Sequence, residues 1–181
     1  SQHTAYGFFV EHKDRLAKRL GLKTKEIPRT RVGDLEPSYL NLVSVFHYLI
    51  GNTDFSPVVG SKETCCHNHV LIGEDGGLAY SVPYDFDQSG IVNADYAKAN
   101  PRFRLPTVRR RLYRGRCANN GFLDGTLEQF RQQRDAILAL ADENVSLSKS
   151  TRKHLSNYIK LFYSQVDSPR KVEGRLVKKC I

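Results

Sequence analysis

The stretch SYLNLVSVFHYLIGNTD, residues 38–54, sets the frame for the rest of the chain. Ser38 offers a hydroxyl at an N-cap position, and Tyr39, Val43, Phe46, Leu49 and Ile50 follow at the spacing of a helix. Apolar residues continue round most of the helix, which predicts a central element buried on several sides. Gly51 is the expected stop, because glycine accepts the left-handed conformation that ends a helix. Asn52-Thr53-Asp54 then fall in the turn directly after it. His47 sits inside the apolar helix and reads as a core or boundary histidine with its polar atoms satisfied.

Working outward, Phe55 to Thr64 contains Pro57 and Gly60 and reads as a loop. Val70-Leu71-Ile72 reads as a short strand, Glu74-Asp75-Gly76-Gly77 as a hairpin turn, and Leu78 to Val82 as the returning strand. The return leads into Pro83-Tyr84-Asp85-Phe86-Asp87. Upstream, Tyr6 to Val10 reads as a short buried strand, Glu11 to Leu20 as a helix stopped at Gly21, and residues 21–37 as a polar loop. Downstream, residues 95–106 read as irregular. Leu127, Phe130, Ile137, Leu138 and Ala141 mark one helix, and Leu155, Tyr158, Ile159, Phe162 and Val166 a second, their stripes serving as core. The basic tail from Asp167 to Ile181 is expected to fray.

A chain of 181 residues with 40% hydrophobic and 26% charged residues fits one globular domain and excludes wholesale disorder. No apolar run approaches the roughly 20 residues of a membrane helix, and no signal-peptide pattern opens the chain. The chain starts at Ser1 and contains no Met, which reads as a processed chain, a fragment or an excised domain, of undetermined compartment. Lys plus Arg is 28 against 19 Asp plus Glu, a net charge of +9 that attracts polyanions. The densest cluster is Arg102, Arg104, Arg109, Arg110, Arg111, Arg114 and Arg116. Within it Arg109, Arg110, Arg111 and Arg114 are candidates for binding phosphate or a polyanion, nucleic acid included. The four cysteines, Cys65, Cys66, Cys117 and Cys180, form no C-x-x-C pair, so a structural zinc site has little support.

The chemistry concentrates in one region. A helix delivers Asp54 into a loop, Asn68 stands at the start of a hairpin, and the hairpin returns to Asp85 and Asp87. This order brings carboxylates and an amide to one end of a small sheet. Phosphoryl transfer needs such groups: one carboxylate to orient the attacking hydroxyl, and hard oxygen donors to hold Mg²⁺ against nucleotide phosphates.

These residues resemble the protein-kinase-like superfamily, with the closest likeness to its atypical bacterial branches, the HipA-like and CotH-like kinases. They are also similar to a bacterial family sharing the patterns I-G-N-T-D-x-S, here Ile50 to Ser56, and P-Y-D-F-D-x-S-G, here Pro83 to Gly90. The resemblance covers about residues 5–117. It implies that residues 1–181 form a single α+β, mostly helical kinase-like C-terminal lobe with a small antiparallel hairpin. It assigns Asp54 as the catalytic-loop aspartate, with Asn52 bracing that loop. Asn68 and Asp85 become metal ligands, and Asp87 adds a second metal role. Mg²⁺ or Mn²⁺ and ATP are the implied cofactors, with an acceptor that the resemblance does not name.

Two features depart from the kinase pattern. Asp54 and Asn68 are 14 positions apart, against about five in ordinary kinase catalytic loops, so residues 55–66 would be an inserted loop. Nothing resembles a Gly-rich phosphate loop or the strand Lys of an N-lobe, which would come from upstream sequence or another chain. The alternative is an inactive kinase-like scaffold that binds a polyanionic partner through the arginines. A two-metal hydrolase using Asp54, His67, His69, Asp85 and Asp87 is a third reading, and it meets no known ligand spacing.

Overall fold

The computed structural model describes residues 9–58 and 65–181. Its elements are α1 (Lys13–Arg19), β1 (Lys23–Thr24), α2 (Pro37–Ile50), β2 (His69–Gly73), β3 (Ala79–Pro83), α3 (Leu123–Gln132), α4 (Arg134–Asp142), α5 (Lys149–Val166) and α6 (Pro169–Arg175). The fold is α+β: a helical body against a small antiparallel sheet ordered β1-β2-β3. Among the described residues no helix is long and apolar enough to cross a membrane.

Helix α2 lies between the two layers, as its apolar girth predicts. Leu40, Ser44 and His47, spaced four and three residues apart, are buried toward the sheet side, where Leu40 joins Leu35, Leu71 and Ala79 in one cluster. Val45, Tyr48 and Leu49 join the other cluster, with Leu127, Phe162 and Val166 of the C-terminal helices. The helix starts earlier than the sequence suggests. Glu36, not Ser38, is the N-cap, and its carboxylate accepts from the amides of Ser38 at 3.3 Å and Tyr39 at 2.6 Å. Pro37 takes the first helical position, where its missing N–H costs nothing, and a carboxylate suits the positive end of the helix dipole. Gly51 ends the helix with φ +67°, as expected.

The hairpin pairs Val70 with Val82 and Ile72 with Tyr80, and its turn spans residues 74–78 with Gly76 at φ +71°. Three expectations are corrected elsewhere. Residues 21–37 are not only loop: Lys23 and Thr24 pair with Gly73 and Ile72, and Leu35 bridges to Ala79 and is 1% exposed. A two-residue strand has no periodicity of its own and forms only because the β2 edge is there to accept it. The helix expected over residues 127–141 is two helices broken at Gln133. The turn lets Phe130 face the core and α4 pack along α5. The strand expected at Tyr6–Val10 lies mostly outside the described residues, and Phe9 and Val10 are exposed coil.

The tail is anchored rather than frayed. Beyond α6, Leu176 is fully buried, the Ile181 amide donates to the Gly115 carbonyl at 2.9 Å, and Cys180 forms a disulfide with Cys117. Elsewhere the thiol groups of the adjacent Cys65 and Cys66 lie by the Pro57 carbonyl. A pair of cysteines 63 positions apart gives no spacing signal in the sequence.

Between α2 and the sheet, the Nε2 atoms of His47 and His69 are 3.0 Å apart, and His69 Nδ1 is 2.8 Å from Ser81 Oγ and 3.3 Å from the Ser81 carbonyl. A carbonyl only accepts, so the hydrogen-bond chain assigns the His69 proton to Nδ1, and His47 Nε2–H donates to His69 Nε2. His47 Nδ1 is then a bare lone pair, buried without a partner. Burial, with the neighbouring His69 and Arg114 adding, lowers His47 to about 2. Burial lowers His69 to about 4, against the opposing effect of the hydrogen bond it donates to the Ser81 carbonyl.

Two predictions follow from this packing. Both imidazoles titrate below the ordinary 6.5, so in acid the unfolded chain binds protons that the folded chain does not. Stability should be full above pH ~6.5 and fall as pH drops below it, by up to about 1.4 kcal/mol per pH unit for each imidazole. Urea midpoints between neutral and mildly acidic pH measure this, and a flat profile would show that the histidines are free to charge in the folded protein. The Cys117–Cys180 bridge closes a long loop, worth roughly 4 kcal/mol in unfolded-chain entropy. The paired change Cys117→Ser, Cys180→Ser should lower the guanidinium unfolding free energy by about that amount. Equal midpoints for parent and variant without reductant would show that the tail is held by packing alone.

Candidate functional site

The two motif glycines hold the site together. Gly51 and Gly90 lie back to back: the Gly90 amide donates to the Gly51 carbonyl at 3.0 Å, and the Ile91 amide to the Ile50 carbonyl at 2.9 Å. Both press against the Tyr158 hydroxyl of α5. A Cβ added at Gly51 would stand 2.0 Å from Tyr158 Oη, and one at Gly90 would stand 2.5 Å from Oη and 2.6 Å from the Val108 carbonyl. No side chain fits at either place, so the end of α2 and the segment after the hairpin are sutured by backbone alone.

Asn52, 1% exposed, fixes the next residues. Its Oδ1 accepts from the Asp54 amide at 2.8 Å, an Asx turn, and its Nδ2 faces the Asp85 carbonyl at 3.5 Å. One buried amide thus touches both halves of the candidate site. Asp54 and Asn68 also meet despite their distance in sequence. Ser56 and His67 exchange backbone hydrogen bonds at 3.0 and 3.1 Å, so the chain leaves after Ser56 and returns at His67, its base closed. Residues 59–64 of this excursion lie outside the described residues. Asn68, at φ +57°, donates through Nδ2 to the Asp54 carbonyl at 2.8 Å and to Asp54 Oδ2 at 3.1 Å. His67 Nε2 is 2.9 Å from Asp54 Oδ1. Each carboxylate oxygen is therefore held by a different side chain, and the group stays 32% exposed.

Asp85 and Asp87 sit at the other end of the hairpin, where the Asp87 amide donates to Asp85 Oδ1 at 3.2 Å. Phe86 between them turns inward onto Phe46, with ring centroids 5.6 Å apart. Asp54, Asn68, Asp85 and Asp87 line one open groove of ≈ 440 Å³, together with Gln88 and Lys98. The exposed Tyr96 hydroxyl is pushed above its usual range, chiefly by the negative charge of Asp87. His69 does not reach the groove; its ring is buried against His47 and Ser81. Among the described residues, no three His, Cys, Asp or Glu side chains form a metal cage. Mg²⁺ does not need one, since it is usually held by one or two carboxylates, waters and substrate phosphates. The donors present for such an ion are Asp85, Asp87 and the Asn68 amide oxygen.

The arginine cluster divides. Arg111 points inward: Nε lies 3.0 Å from the Tyr48 carbonyl and 3.2 Å from that of Leu49, Nη2 donates to Leu49 at 3.0 Å and Tyr158 at 2.6 Å, and its carbon stacks 3.7 Å from the Tyr158 ring centroid. Arg114 Nη1 donates to the Thr53 carbonyl at 2.9 Å and also to that of Phe55, bracketing Asp54, with the Phe55 and Phe103 rings at 4.7 Å. Burial, then Arg116 and Arg102, lower Arg114 to about 10, while Asp54 acts the other way. Arg111 and Arg114 are thus braces of the site loop rather than a surface for phosphate, and the exposed remainder is Arg102, Arg104, Arg109 and Arg110.

Sequence reasoning missed Lys98 and gave two other groups a different place. His67 enters the sequence reading only as a metal ligand of the hydrolase alternative, whereas it holds Asp54 Oδ1. Arg114 carried no local sign of its inward path. Lys98 lies in a segment without periodicity and reaches the groove only through tertiary packing. No protein-family model matches the chain, and neither a curated protein nor a solved structure matches it.

Proposed function

We propose that this chain carries the catalytic end of an ATP- and Mg²⁺-dependent phosphotransferase of the atypical kinase type. The observation that supports this most is the meeting of Asp54, Asn68, Asp85 and Asp87 on one groove, across an intervening excursion and a hairpin. These are the residues, in the order, that the kinase-like motifs assign.

In this reading Asp54 orients the acceptor hydroxyl and takes its proton as the oxygen bonds to the transferred phosphorus and ADP leaves. Its carboxylate is aimed by His67 and Asn68, and its backbone by Asn52 and Arg114. Asp85, Asp87 and the Asn68 oxygen would hold Mg²⁺ or Mn²⁺, which when bound neutralises charge on the phosphates. Preorganised positioning of this kind is where phosphoryl transfer gets most of its acceleration. An N-lobe, in the same polypeptide or another, would cover the nucleotide.

A second reading is favoured by a different observation. Among the described residues, the exposed Arg102, Arg104, Arg109 and Arg110 make no ion pair with a carboxylate. An inactive scaffold would use them to hold a polyanion.

The two readings separate by experiment. For the phosphotransferase, Asp54→Ala should cut kcat by roughly 10²–10⁴ with a smaller change in the KM for ATP, and Asp85→Asn should abolish Mg²⁺-dependent ATP binding. Phosphoryl transfer retained in both variants would overturn it. For the scaffold, RNA or polyphosphate should bind with an affinity that falls steeply with salt and drops further in Arg109→Ala, Arg110→Ala, while affinity unchanged by salt would overturn it.

A further inference from the structure

We propose that Lys98 is the phosphate-binding cation of the groove, contacting the nucleotide phosphates from the segment that follows the motif residues in sequence. The inference rests on the phosphotransferase reading and adds to it a residue that none of the kinase-like motifs supplies.

Charge comes first. Three carboxylates, Asp54, Asp85 and Asp87, line the groove, and Lys98 is the single Lys or Arg among its described lining residues. A polyanionic nucleotide is repelled by such a surface unless cations offset it. A divalent ion on Asp85 and Asp87 offsets part of that charge, and a fixed ammonium supplies more, with three donors suited to phosphate oxygens.

Placement comes second. The backbone amide of Lys98 donates to Gln88 Oε1 at 3.2 Å, and Gln88 Nε2 donates to Asp87 Oδ2 at 3.3 Å. The lysine is therefore two hydrogen bonds from the proposed metal-binding carboxylate. At the far end of the same segment, Asn100 caps the turn Pro101–Phe103 through the Arg102 amide at 3.0 Å. The Phe103 ring lies against Arg114, which holds the Thr53 carbonyl. The segment is thus tied to both halves of the site, and Lys98 projects from a fixed backbone with a flexible stem. A lysine beside carboxylates is ordinarily expected to ion-pair with one. Among the described residues, Lys98 has no carboxylate within 4.0 Å, which leaves the ammonium for a ligand.

The test measures equilibrium binding of ATP and of adenosine to the protein, with Mg²⁺ and again with chelator, for the parent, Lys98→Ala, Lys98→Arg and Asp85→Asn. Lys98→Ala should weaken ATP binding about tenfold or more, the scale of one charge-assisted hydrogen bond. Adenosine binding should not change, the loss should persist in chelator, and Lys98→Arg should recover much of it. In turnover the same variant should raise the KM for ATP more than it lowers kcat. Equal ATP affinity in parent and Lys98→Ala overturns the inference while leaving the phosphotransferase reading in place. Equal losses for ATP and adenosine overturn it too, because they indicate a structural role. A parent protein that binds no ATP in either condition overturns the phosphotransferase reading and this inference together.

Discussion

Two buried guanidinium groups govern the end of helix α2, and the rest of the site depends on them. Arg111 and Arg114 reach inward from one short segment and together engage the carbonyls of Tyr48, Leu49, Thr53, Phe55 and Tyr158. A buried cation costs several kcal/mol unless its donors are met. Here Arg111 meets carbonyls in the last turn of α2, where positive charge is also favoured by the dipole, and Arg114 meets the Thr53 and Phe55 carbonyls of the loop beyond it. Aromatic faces from Tyr158, Phe55 and Phe103 cover the planar surfaces. The exchange serves both sides: the helix end gains donors, Arg111 and Arg114 Nη1 gain acceptors while Arg114 Nε stays buried without one, and the loop that carries Asp54 gains a rigid floor.

On that floor the site is assembled from short polar contacts rather than from an apolar core. Asn52 joins the helix end to the hairpin exit, the Ser56–His67 bridge closes the excursion, and Asn68 returns to Asp54. The result is a carboxylate whose two oxygens are separately oriented but still open to solvent. Below it, His47 and His69 form a neutral buried pair that shapes the sheet-to-helix interface and takes no part in the groove. The groove is negative on its motif side, and among its described lining residues the one Lys or Arg comes from the irregular segment beyond the hairpin.

The elements that were legible in the sequence are those with strong local signals. Helix α2 and its stop at Gly51 follow from periodicity and one glycine, and the hairpin from two apolar runs and an acidic, glycine-rich turn. The grouping of Asp54, Asn68, Asp85 and Asp87 followed from motif order, and the structure brings these four to one groove. What escaped depends on distant partners. β1 exists through its pairing with β2, the break at Gln133 through packing on α5, and the anchored tail through a disulfide to Cys117. A run of arginines looks the same in sequence whether its members face water or a helix end, and burial alone separates Arg111 and Arg114 from Arg109 and Arg110.

The suture of Gly51, Gly90 and the Tyr158 hydroxyl constrains evolutionary drift as much as geometry. Three positions, 51, 90 and 158, share one small volume although they belong to three separate parts of the chain. A larger residue at position 90 fits only if the aromatic hydroxyl retreats and the Val108 carbonyl moves aside, and position 51 also requires the left-handed backbone. Descendants of this fold should therefore change these three positions together or not at all. A phenylalanine or smaller residue at 158 would lift only the hydroxyl's share of this constraint, leaving the Val108 carbonyl against position 90 and the left-handed backbone at position 51.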